Sequence, residues 1–180
     1  MTRPPAASPL EALAPVTARA GYMMGVHADR AWTPDHAIAW EGMLELNRRL
    51  RREAEAILER DHELSVSMLG IMGRLLRAPE RTLRQTDLAD AMGLSLSRIS
   101  RIIDILERRE LVGRQRCPSD ARATNVCLTD AGAARAEAAQ GTVFGFVERA
   151  FAGRLSEDEI RTLAGIFSRL LVPPEATPPA

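Results

Sequence analysis

The sequence predicts a mainly α-helical fold with one small antiparallel β-wing, and three observations lead there. Apolar residues recur at helical spacing over most of the 180 residues. One short helical pattern stops at Gly93 and a second begins just after Ser95, so only a tight turn fits between them. Two partly alternating runs, LVGRQRC and ATNVCLT, flank the turn-forming PSDAR and read as a hairpin. Helix, turn, helix and hairpin in that order make a winged helix-turn-helix.

In chain order, MTRPPAASP is proline-rich and reads as mobile. EALAPVTARAGYMMGVHADR has a periodicity broken by Pro15, Gly21 and Gly25, which fits a short helix or an arm across a partner subunit. Residues 1–33 are therefore an extension. Thr33 and Pro34 suit a cap and a first helical position, opening a long helix over about 35–59. Ile38, Met43, Leu46, Leu50, Ala54, Ile57 and Leu58 run along one side of it, while Arg48, Arg49, Arg51 and Arg52 read as a solvated face. Leu64 to Leu76 forms a second helix with Met68, Leu69, Met72, Leu75 and Leu76 on its apolar side. RAPERTL is a loop, after which Leu83 is placed to add a third short strand to the wing.

The helix-turn-helix follows. Leu88, Ala89 and Met92 make the apolar face of its first helix. Ser95 offers a side-chain cap to the second, where Ile99, Ile102, Ile103 and Leu106 recur at i, i+3, i+4 and i+7. The opposite face carries Ser95, Leu96, Ser97, Arg98, Ser100, Arg101 and Asp104. Taken alone it suits a solvated amphipathic helix, or one lying in a major groove with Arg on guanine edges and Ser on phosphates or bases. At the hairpin tip, Arg122 fits a minor groove with Asp120 holding its guanidinium, or an ordinary solvated turn with an ion pair. Thr129 caps a helix reaching about Phe151, and Ser156 with Glu159 forms a capping box for a last helix. Ile160, Leu163, Ile166, Phe167, Leu170 and Leu171 are the apolar residues of that helix, and 173–180 is a disordered tail.

The run ADAMGLSLSRISRIIDILERRELVGRQRCPSDARATNVCLTDAG resembles the winged helix-turn-helix core of the MarR family of bacterial transcription regulators. It includes that family's D-x-R wing tip at Asp120 and Arg122 and its LT-x-x-G lead into the next helix at Leu128, Thr129 and Gly132. The similarity is specific over about 63–135 and extends, as helix order and length, over about 36–171. It implies Arg122 as the minor-groove residue with Asp120 as its partner, and Ser95, Ser97, Arg98 and Arg101 on the base-reading and phosphate-contacting face. Ser100 on the same helix, with Arg114 and Arg116 of the wing, completes the expected DNA-contacting set. Two positions depart from the pattern: Glu110 replaces a glycine that often ends the recognition helix, and Cys117 replaces an aspartate that often precedes the wing proline. Glu110 would be strained in a left-handed cap.

The resemblance further implies a winged head over 63–128 on a helical dimerisation frame of 34–62 and 129–172. Two heads related by a two-fold axis would read a palindromic double-stranded operator, as a repressor released by a small aromatic or anionic effector. The corresponding cleft would draw on Trp40, Met43, Met68 and Met72, with His36 or Arg74 as polar contacts; methionine and tryptophan at this spacing also fit a core. The frame helices carry more apolar surface than such a head covers, which independently favours a homodimer.

Charge placement points the same way. The net charge is zero, yet from Arg74 to Leu128 eleven arginines face seven acidic residues, +4, leaving thirteen against seventeen, −4, elsewhere. No leader and no bilayer-length apolar run is evident, so a cytoplasmic protein without membrane partners is expected. With a turn near Asp120, Cys117 would face about residue 123 and not Cys127, so no disulfide is expected. Arg114 and Arg116 around Cys117 leave a thiol sensor as an alternative, and a wing that docks another protein is a second. His27, His36 and His62 lack a partner at i+4, and no phosphate loop or nucleophile signature occurs. No metal, no cofactor and no enzymatic activity are expected.

Overall fold

A computed structural model describes residues 33–117 and 120–172, with side chains at all of these except 34, 37, 116, 117 and 120–123. The expectations for the N-terminal extension and the tail lie outside these residues.

The first helix, α1, spans Pro34–His62 and begins at the Thr33-Pro34 pair. The His36 N–H donates to the Thr33 carbonyl at 3.0 Å, and the Thr33 N–H reaches His36 Nδ1 at 3.3 Å. By compactness the chain divides after Glu53. Before that point the arginine run is solvated, as its spacing predicts, with Arg48 paired to Glu45 and Arg49 to Glu53 at 2.6 and 2.8 Å. Trp40, Met43, Leu44 and Leu46 are exposed there.

After that point one core joins buried residues from Leu58 to Ala139. α2, Val66–Arg77, opens on Ser65, whose hydroxyl oxygen accepts the Met68 N–H, and buries Ile71, Met72 and Leu75. A 3-10 turn at Pro79–Arg81 leads to β1, Thr82–Arg84, and then to α3, Gln85–Met92. α3 stops at Gly93, which takes φ 61. That left-handed residue lets the Gly93 and Leu94 N–H groups close back on Asp90 and Ala89, both at 3.1 Å. α4, Leu96–Arg108, then runs into β2, Val112–Cys117, and β3, Asp120–Leu128. The sheet is antiparallel in the order β1-β3-β2, with Leu83 opposite Val126, so the short third strand forms where Leu83 predicts it.

The wing corrects two expectations. PSDAR is not a five-residue turn: β3 already begins at Asp120, and only residues 118–119 lie between the strands. Backbone pairing needs no apolar alternation, so turn-favouring side chains at 120–122 do not keep that stretch out of a strand. The register shifts between Arg116 and Cys117, which puts Cys117 opposite Asp120 and not residue 123. Cys127 pairs with Gly113 across β2, so the two cysteines stay apart as expected, and its thiol donates to the Gly113 carbonyl at 3.3 Å.

Thr129 caps α5, Asp130–Ala150, and explains the LT-x-x-G lead physically. Leu128 is buried, the Thr129 hydroxyl accepts the Gly132 N–H at 2.9 Å, and that hydroxyl also donates to the Glu110 carbonyl at 2.8 Å. At Gly132 a side-chain carbon would sit 2.0 Å from the Leu111 carbonyl oxygen, so only glycine lets the helix pass. After a 3-10 turn at Ala152–Arg154, α6 spans Glu157–Leu171 behind the expected Ser156 and Glu159 capping box.

Candidate nucleic-acid interface

α4 is fixed at both ends and along its inner stripe. Ile99, Ile103 and Leu106 are fully buried in the core, and Ile102 packs against it. Ser95 caps the N-terminus, its hydroxyl oxygen accepting the Arg98 N–H at 3.4 Å and lying 3.2 Å from the Ser97 hydroxyl. At the C-terminus, Glu110 adopts φ 60. Its N–H meets the Glu107 carbonyl at 2.9 Å, and the Leu111 N–H meets Leu106 at 3.0 Å. This is the left-handed cap that a glycine would fill without strain. Arg109 ties the same end to the Glu63 carbonyl.

What remains outward is the opposite face. Ser95, Ser97, Arg98 and Arg101 are exposed and Ser100 is half-buried. Arg98 and Arg101 form no ion pair or side-chain hydrogen bond among the described residues, so both cations are open to an external anion. The helix N-terminus adds a partial positive charge of its own beside the exposed serines. A fixed helix presenting unpaired guanidinium and hydroxyl donors at its N-terminal end has the donor set for phosphates and for guanine edges.

Arg114 sits differently from the other arginines of the set. Its guanidinium, on β2, is ion-paired to Asp104 and Glu107 of α4 and donates to the Ser100 carbonyl at 3.3 Å. Burial works against its charge, but the hydrogen bonds to the two carboxylates outweigh that and hold it above its ordinary value. Arg114 thus ties the wing to α4. The spacing of Asp104 and Glu107 shows two carboxylates on one helical face, but their partner becomes identifiable only once the β2 register is known. The side chains of Arg116, Cys117, Asp120 and Arg122 lie outside the described set; their backbone belongs to the paired wing strands.

The residues expected around an effector fall in distinct surroundings. Trp40 and Met43 are exposed on the N-terminal part of α1, and His36 lies in its first turn against Thr33. Met72 is buried and Met68 packs against the core. Arg74 donates to the Gly70 carbonyl at 3.1 Å and to the Ala91 carbonyl, near the end of α3, at 2.8 Å.

A helix-turn-helix whose second helix is braced by a three-stranded wing defines a winged helix-turn-helix protein. Residues 75–124 match the sequence model of the MarR family. That stretch takes in the helix-turn-helix of this chain and most of its wing. Among solved structures it is similar to AbsC, a MarR family transcriptional regulator from Streptomyces coelicolor. The two are 28% identical with a TM-score of 0.72, and the match covers 78% of this chain and 95% of AbsC. Sco3205, a regulator of the same family and organism solved in complex with DNA, is 27% identical with a TM-score of 0.72 over 78% and 91% of the two chains. The S. aureus MepR–DNA complex shares the fold at 23% identity and a TM-score of 0.65, over 78% and 98%. No helix among the described residues is long and apolar enough to cross a membrane.

Proposed function

We propose that the chain is a homodimeric, sequence-specific DNA-binding transcription regulator. The observation that carries this reading is the outward face of α4, where Arg98 and Arg101 stand unpaired beside Ser95 and Ser97 on a helix locked into the core. The DNA complex of Sco3205 supports it. α4 lies in the major groove, and Arg122, with Asp120 and Arg116, serves the adjacent minor groove and backbone from the wing. Two copies read a palindromic site with half-sites about one helical turn apart. The exposed Ile166, Phe167, Leu170 and Leu171 of α6 supply apolar surface suited to the dimer frame.

The regulator acts as a repressor, and a small aromatic or anionic effector changes the spacing of the two recognition helices. A gel shift on the DNA upstream of its own gene, at two salt concentrations, tests the reading. Retarded complexes that weaken steeply with salt are expected, because neutralised phosphates release counterions. Absence of any duplex binding would remove it. A thermal-shift screen of aromatic acids, followed by loss of operator binding, tests the effector.

A further inference from the structure

Leu96 is an outlier on the recognition surface. The core of the winged head takes in most of its large apolar side chains, from Leu64 and Ile71 to Val126 and Leu128 at 8% exposure or less, with Leu83, Met92, Leu94 and Ile102 packed against it. Leu96 alone among the described large hydrophobics of residues 63–128 is exposed, at 49%. Every other exposed large hydrophobic among the described residues belongs to α1, to α5, or to α6 and its C-cap Val172. Capping does not explain Leu96. Ser95 supplies the polar cap, and Leu94 with Ile99, the positions of a hydrophobic staple, both belong to the core assembly. Leu96 is the first residue of α4, flanked by Ser95 and Ser97 and followed by Arg98, at the end of a recognition helix that approaches base edges.

The surface around Leu96 offers donors to an acceptor-rich groove, and a leucine there has nothing to offer phosphate. The major groove displays one apolar group, the C5-methyl of thymine. We infer that Leu96 is a specificity-determining residue that packs against a thymine methyl in each operator half-site, so that the preferred operator carries a thymine there and not a cytosine. This rests on the DNA-binding reading above and adds to it a base identity.

The test uses the full chain and an operator selected from random duplexes, with each thymine replaced singly by deoxyuridine, which removes only the methyl. Losing one buried methyl is expected to weaken binding about fourfold at one position per half-site, and roughly fifteenfold when both half-sites are changed. In Leu96→Ala the same replacement is expected to change affinity by less than about twofold, with the thermal midpoint of the variant close to that of the parent because the side chain is half-exposed. An operator bound tightly by the parent but indifferent to every deoxyuridine replacement overturns the inference and leaves the DNA-binding reading standing. So does a methyl effect that persists undiminished in Leu96→Ala. If selection yields no bound duplex, both fall together.

Discussion

α4 and α6 are built to the same plan and end in different circumstances. Each is capped by a serine, each is 13 to 15 residues long, and each carries apolar residues at helical spacing with charge opposite. α4 buries Ile99, Ile103 and Leu106 completely within its own chain. α6 buries no residue, and Leu170 and Leu171 stand 68% and 79% exposed. An amphipathic stripe therefore states that a helix needs a partner without stating whose. For α4 the partner is its own chain and the free face is polar, the face proposed to read DNA; for α6 apolar residues themselves stay exposed, as an assembly surface requires.

The comparison breaks first at its largest expected effect. Ile103→Ala is expected to destabilise the subunit by about 2 to 5 kcal/mol, as for other large-to-small changes in packed cores. Leu170→Ala should cost the isolated subunit within about 0.5 kcal/mol. It should instead weaken self-association, so that its denaturation midpoint depends more strongly on protein concentration than that of the parent. Urea titrations at several concentrations separate the two. A concentration-independent loss of several kcal/mol in Leu170→Ala would show that α6 packs within its own chain.

Arg114 comes next. Arg114→Met strands Asp104 and Glu107 on α4 and should cost about 1 to 2 kcal/mol, the partial exposure of all three side chains keeping the figure low. The same change made in Asp104→Asn/Glu107→Gln should cost less. Equal losses in the two backgrounds would remove the tie between wing and helix.

The caps sharpen the comparison at about 1 kcal/mol each, the usual cost of removing a serine N-cap. Ser95→Ala is expected to weaken operator binding as well as stability, and Ser156→Ala stability and assembly alone. Glu159 adds a pH signature. The N–H and hydroxyl of Ser156 donate to its carboxylate and hold it below the usual glutamate range. Its contribution is complete above the ordinary value of about 4.3 and is lost as pH falls through the lowered folded value. The deficit of Ser156→Ala should accordingly shrink on acidification below about pH 4.

The smallest effect is a gain. Glu110→Gly relieves a left-handed residue at the end of α4, and after the added freedom of the unfolded chain is subtracted should stabilise by about 0.5 to 1 kcal/mol. A loss of stability would mean that the Glu110 side chain has a role beyond its backbone position.

Local chemistry made much of the fold readable in advance. Gly93, Ser95, Thr129, Gly132 and the Ser156–Glu159 box each set a helix boundary through backbone geometry or a nearby hydrogen bond, and such boundaries depend on few distant residues. The outward polar face of α4 was legible for the same reason, since period and cap together decide which way Arg98 and Arg101 point. The start of β3 was misread because turn-favouring residues at 120–122 also tolerate strand geometry. The Arg114 tie was hidden because it joins residues brought together only by the β2 and α4 packing. The effector set was legible only as composition, and Met72 shows how readily a methionine at helical spacing belongs to the core.

The most direct test of the DNA-reading face is the double variant Arg98→Ala/Arg101→Ala, titrated by fluorescence anisotropy against the parent's operator over a range of salt. Both arginines are exposed and unpaired, so the fold should be unchanged by circular dichroism and thermal midpoint. Affinity should fall at least about tenfold, and the slope of log K on log salt should become shallower by about two if each arginine holds one phosphate. A folded double variant that binds the operator with the parent's affinity and salt slope would contradict the assignment of α4 as the reading helix.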